Sequence, residues 1–196
     1  MEVPALAVRA DSGWKNLEDF AQAGKKQKLK VGISGRGSFT HLTSAALFEK
    51  LGIDVVYVPY GTGSAPVELL GGRIDAALQW PAQFKAQADA GQLTILAVTG
   101  ASRVPLIPNV PTAKEQGYDV DIVMWRGIAV PKGTPKDVIA KLEKAVQTVV
   151  LSPEFKQRSG TLGMETAYLP AAEFGKVVAS DDATIAKLMR DSGMTK

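Results

Sequence analysis

Short apolar runs alternate with stretches of helical periodicity over the first half of the chain. Ala5-Leu6-Ala7-Val8 predicts a strand. After the polar turn Asp11-Ser12-Gly13 a helix is expected from about Trp14 to Ala23, with Trp14, Leu17, Phe20 and Ala21 on one face. Leu29–Ile33 is a second strand, followed by a Gly/Ser-rich loop and a helix from about Ser38 to Leu51. The unit then recurs as a β-branched and aromatic strand at Asp54–Val58, the loop Pro59–Gly63, and a short helix Ser64–Leu70 stopped by Gly71-Gly72. Ile74–Leu78 predicts another strand, Pro81–Ala90 a helix ending at Gly91, and Leu93–Thr99 a further, almost wholly apolar strand. Continuous apolar strands separated by helices predict a parallel sheet covered on both faces.

Beyond Thr99 the pattern changes. Pro105, Pro108 and Pro111 punctuate an irregular stretch, a short helix is expected near Thr112–Gln116, and an extended run follows from Asp119 to Val130. Thr134 reads as the cap and Pro135 as the first residue of a helix to about Leu151. Its stripe of Val138, Ile139, Leu142, Ala145, Val146 and Val149 is expected to be buried. Another helix starts at Ser152-Pro153, a short strand is expected at Glu165–Tyr168, and a last helix runs from Pro170 to about Arg190. This tail holds too few strands for a sheet of its own, and it reads as a covering layer for something only partly present.

Composition narrows the classes. The 196 residues are 45% hydrophobic and 22% charged, ordinary globular values that argue against disorder. The absence of cysteine excludes disulfides, thiolate nucleophiles and Cys-based metal sites. A net charge of +3 is no nucleic-acid footprint unless clustered, and the one cluster, Lys25, Lys26, Lys28 and Lys30, has no interleaved aromatics. It reads as a solvated helix end, and no nucleic-acid partner is expected. No apolar run approaches a membrane span. Met1–Pro4 lacks the basic and apolar regions of a secretion signal, so for an exported protein that signal is expected upstream or already removed.

The strand–loop–helix unit at 29–51 is the strongest chemical feature. A helix N-terminus leaves unpaired backbone N–H groups and a partial positive charge, and glycines ahead of it let a ligand approach them. The loop Gly32–Ser38, with Ser34, Gly35, Gly37 and Ser38, therefore reads as an anion seat, or else as a plain tight corner; Ser34, Ser38 and Thr40 add hydroxyls. Gly32-Ile33-Ser34-Gly35-Arg36-Gly37 is not GxGxxG, no Lys-Ser/Thr follows, and GxSxG is absent. The loop Tyr60, Gly61, Thr62, Gly63 and Ser64 holds the same position in the next unit, so both loops are expected on one sheet edge. Gln79 and Trp80 follow the next strand, Gln79 as a candidate polar contact and Trp80 as a cleft wall or core residue. His41, the only histidine, lies next to the seat; alone it supplies no metal site, and no orienting acid supports a catalytic Ser–His pair. Arg126 reads as a ligand-carboxylate partner or, more simply, an inter-element ion pair. No cofactor is expected.

Six segments in register then resemble a known family. They are Val31–Leu42, Asp54–Gly61, Leu69–Asp75, Leu96–Thr99, Asn109–Thr112 and Ala129–Pro135. Singly weak and jointly specific, they resemble the solute receptors of tripartite tricarboxylate transporters, the Bug-type periplasmic receptors. The resemblance implies an α/β, type II periplasmic binding-protein-like fold. The second lobe would be largely complete in parallel-type βα units at 3–118, a crossing hinge would occupy 119–134, and a helix-rich tail at 135–196 would belong to an only partly present first lobe. It implies that Ser34, Gly37, Ser38 and His41 match the second-lobe ligand loop, that Tyr60–Gly63 match its neighbour, and that Gln79 faces the ligand. It also implies a small organic carboxylate ligand, the membrane components of the cognate transporter as partners, and a periplasmic location. This sequence departs from the pattern in two ways. Family members extend further at the N-terminus, into an export signal and most of the first lobe, and they often carry a Lys where Gly61 stands.

Three functions compete on these grounds: a carboxylate receptor or fragment of one, a stand-alone sensing module that self-associates through surface the other lobe would cover, and an enzyme. The third is weakest, because nucleophile, base and metal constellations are all missing from the pattern.

Overall fold

The computed structural model describes residues 1–61, 63–191 and 193. Five strands, β1 (Ala5–Arg9), β2 (Leu29–Ile33), β3 (Val55–Pro59), β4 (Ala76–Gln79) and β5 (Leu93–Val98), form one sheet in the order β3-β2-β4-β1-β5. The helices are α1 (Leu17–Lys26), α2 (Phe39–Leu51), α3 (Ala65–Leu70), α4 (Pro81–Asp89), α5 (Lys136–Val150), α6 (Pro153–Thr161) and α7 (Ala171–Asp191). The expected α/β class is thus observed, but the sheet is mixed. β2 runs parallel to β3 and β4, whereas β1 is antiparallel to both β4 and β5. An apolar run such as β1 signals burial on both faces and carries no direction, so the parallel sheet expected from the pattern does not hold for this strand.

Strand alternation divides the core in two. Leu6 and Val8 of β1 join Phe20, Leu47 and Phe48 on one face, and Ala5 and Ala7 join Leu69, Ile74 and Phe84 on the other. Leu17, Phe20 and Ala21 are the buried stripe of α1, as their spacing predicts, and Asn16 caps that helix by accepting from the Asp19 N–H at 2.8 Å. Gly32 is required by close approach. A Cβ there would lie 2.6 Å from Ile74 Cδ1 and 3.1 Å from Ala65 Cβ, so its absence lets α3 rest on β2.

The tail departs from its expected form at three points. No residue of α5 is buried, and Val138, Leu142 and Val149 are 38%, 41% and 54% exposed. The amphipathic stripe is real, but no sheet of the described residues lies against it. Residues 165–168 form no strand, although the Glu165 N–H donates to the Met1 carbonyl at 2.9 Å. Pro135 holds the cap position of α5 rather than the first helical one, and the Thr134 hydroxyl donates to Pro131 O at 2.8 Å instead of capping. The segment 119–130 returns across the sheet end: Ile122 N–H donates to Thr99 O at 2.9 Å, and Glu2 and Met124 form an isolated antiparallel bridge. Between it, α5 and α7 runs an apolar groove of about 520 Å³, lined by residues such as Val123, Leu142, Val146, Phe174 and Ile185.

Candidate functional site

β2, β3 and β4 are adjacent and parallel, so the three loops at their carboxyl ends share one edge of the sheet. The register pairs Ile33 with Pro59 and Gly32 with Ala77, which sets Ser34, Tyr60 and Gln79 side by side. Tyr60 is half-buried, with its ring edge over Gly32. Gly61 and Gly63 are exposed, and Thr62 lies outside the described residues.

Side-chain hydrogen bonds hold the first loop. The Ser34 N–H donates to Thr40 Oγ1 at 2.9 Å, Thr40 Oγ1 pairs with Ser38 Oγ at 3.1 Å, and Ser38 Oγ accepts from the His41 N–H at 3.3 Å as the cap of α2. The Ser38 N–H donates to Gly35 O at 3.1 Å. Gly37 adopts a left-handed conformation, φ 72°, and its N–H donates to His41 Nδ1 at 3.0 Å. Three amides of the expected seat, Ser34, Gly37 and Ser38, are therefore spent within the loop. Among the described residues those of Gly35, Arg36, Phe39 and Thr40 find no protein acceptor. Phe39 and Thr40 open α2, so their amides lie at its positive end, and neither amide was singled out from the sequence. The signal was available: a Ser cap at 38 leaves the next two amides free.

Gln79 completes the arrangement. It is fully buried at the end of β4, and its Oε1 accepts from Ser34 Oγ at 3.2 Å. Its Nε2 is buried without a partner among the described residues. A buried amide donor left unpaired costs about 1–3 kcal/mol. Next to it Trp80 is half-buried, and its ring stacks at 6.1 Å and 17° on Phe39. Trp80 is therefore a rim residue rather than plain core.

His41 is a loop-fixing residue. Its ring packs edge-on to Tyr57 at 4.4 Å, and Nδ1 is engaged as an acceptor, so the neutral ring carries its proton on Nε2. Burial, and secondarily the Arg36 charge, hold its pKa below the ordinary 6.5. Burial and the Asp54 charge push the Tyr57 hydroxyl up to about 12, so Tyr57 stays neutral at every pH where His41 titrates. With the folded pKa depressed, the unfolded chain takes up the proton first, so stability present above 6.5 is lost as pH falls. The melting temperature is expected to drop between about pH 7 and pH 5. His41→Gln, the chain having no other histidine, should flatten that slope. An unchanged slope in the variant would assign the effect to carboxylates instead.

The other candidates are employed structurally. Arg126 forms an ion pair with Glu2 at 2.5 Å, the inter-element use that was one of its two readings. Lys28 pairs with Asp54 at 2.5 Å on the surface, as expected of a solvated helix end. Among the described residues no group of His, Asp or Glu could hold a metal ion, and no helix is long and apolar enough to cross a membrane.

Residues 2–194 match the family described as Tripartite tricarboxylate transporter family receptor. A UPF0065 protein of Agrobacterium vitis is 34% identical over 167 residues, which is 83% of this chain and 48% of that protein. A TctC solute binding protein from Polaromonas, solved without ligand, has a TM-score of 0.83 at 35% identity, covering 97% of this chain and 66% of that one. MatC from Rhodopseudomonas palustris, solved with bound malate, has a TM-score of 0.80 at 25% identity, covering 95% and 66%. The chain thus spans about half the length of the curated relatives it matches. The match nonetheless runs through both the sheet and the helical tail, and on that ground the chain belongs to the tripartite tricarboxylate transporter receptor family.

Proposed function

We propose that this chain supplies one face of the carboxylate site of a periplasmic solute receptor that serves a tripartite tricarboxylate-type transporter. Residues 3–118 are the lobe that carries the seat, 119–134 the crossing segment, and 135–196 helices belonging to the opposite lobe. The observation that carries this reading is the orphaned Gln79 Nε2, tied through Ser34 and Thr40 to the two free amides that open α2. A carboxylate oxygen accepts from Phe39 N–H and Thr40 N–H, and Gln79 Nε2 donates to the same group; Ser38 and His41 hold the loop in shape. Such a site binds and releases without chemistry. His41 Nδ1, the only imidazole acceptor, is already bonded to Gly37, which supports a receptor over an enzyme. The bound malate in MatC supports the ligand class.

A ligand that binds only the folded chain stabilises it by about 2.7 kcal/mol at a hundredfold excess over Kd. Carboxylates should therefore raise the melting temperature of the 196-residue chain. The absence of a shift across mono-, di- and tricarboxylates and aromatic acids would remove the seat. A second reading, self-association, is favoured by the exposed apolar stripe of α5. Light scattering decides it, and a monomer at all concentrations excludes it.

A further inference from the structure

The geometry points to the Phe39–Trp80 pair as the specificity determinant of this seat, selecting a carboxylate with a single charge and a flat or aliphatic apolar body. The inference rests on the seat proposed above and adds what lies beyond the carboxylate. Phe39 carries one of the free amides at the start of α2, and its half-buried ring stacks on Trp80. Trp80 follows Gln79 directly, and Pro81 at the first position of α4 holds it there. The two rings are half-buried and stack at 6.1 Å, next in the chain to the free amide of Phe39 and to Gln79, and Phe39 also lines the groove beside α7.

The charge pattern of the loops points the same way. Across Gly32–His41, Pro59–Ser64 and Gln79–Pro81, Arg36 is the one side chain of fixed charge, and it is exposed. Burial disfavours the charged form of His41. The donors assigned to the ligand are thus uncharged amides. A second carboxylate or a hydroxyl laid against the rings would lose water without gaining a partner from this face. An aromatic or alkyl body loses only apolar hydration there. Sites that recognise small molecules commonly combine a few placed polar groups with such an apolar wall.

The test titrates the full chain with acetate, benzoate, hexanoate, malate and citrate by calorimetry, following indole fluorescence in parallel. Benzoate and hexanoate are expected to bind at least about tenfold more tightly than malate and citrate. Trp80→Leu keeps apolar bulk and is expected to lower the benzoate-to-malate preference by about tenfold, while hexanoate keeps most of its advantage. Equal affinities for acetate, benzoate and malate, or an unchanged preference in Trp80→Leu, would overturn the role of the rings and leave the seat standing. Failure of every acid to bind would overturn the seat and the inference with it. Phe39→Leu gives a second, independent reading if Trp80→Leu proves unstable, with the same loss of benzoate preference expected.

Discussion

Phe20→Ala is expected to destabilise the chain by about 3–5 kcal/mol, the largest effect of any single truncation considered. Phe20 has no exposed surface and lies where α1 meets the sheet. Trp14 meets it edge-on at 5.4 Å, and Phe48 of α2 lies 5.8 Å away on the other side. Removing the ring leaves a cavity between two helices and β1, which those flanking rings can only partly refill. Since domains of this kind hold about 5–15 kcal/mol in total, the variant should approach the unfolding threshold near physiological temperature. Urea denaturation checks it, with a lower midpoint at an unchanged slope. A loss under about 1 kcal/mol would mean that α1 is not docked as described.

Gln79→Leu should separate folding from binding. Leucine has a similar volume and removes the unpartnered Nε2 from the interior, so the free chain should lose no stability and can gain about 1–2 kcal/mol. Ser34 Oγ loses its acceptor at 3.2 Å but is only half-buried, so water replaces it. Carboxylate affinity should fall about tenfold to a hundredfold, the worth of one hydrogen bond to a charged group. Opposite movements of melting temperature and affinity are the signature of a donor kept for a ligand. A lower melting temperature with intact affinity would make the amide structural.

Much of this molecule was legible in the chain. Helix spacing located α1, α2, α5 and α7 to within a few residues, because a 3.6-residue period and a capping residue are local properties. The three loops were legible too, since Gly32–Ser38, Tyr60–Gly63 and Gln79 each follow an apolar run directly. Three things were not. The antiparallel setting of β1 depends on which strands flank it, and a doubly buried strand reads the same in both directions. The exposed stripe of α5 looked like core, because periodicity records which face is apolar and not what covers it. Which amides of the seat remain free followed from side chains that reach back to the loop, Thr40 to Ser34 and His41 to Gly37.

By itself, then, the sequence determined the elements, the class and the places where loops with free donors would stand. Those follow from short-range sterics and from the burial of apolar faces, which act within a few residues. Only the tertiary structure decided the direction of β1, the pairing of Ser34 with Gln79, and the lack of a partner for Gln79 Nε2 among the described residues. Each of these joins groups far apart in the chain, such as Ser34 and Gln79, and only long-range packing fixes which polar atoms meet and which are left without a partner.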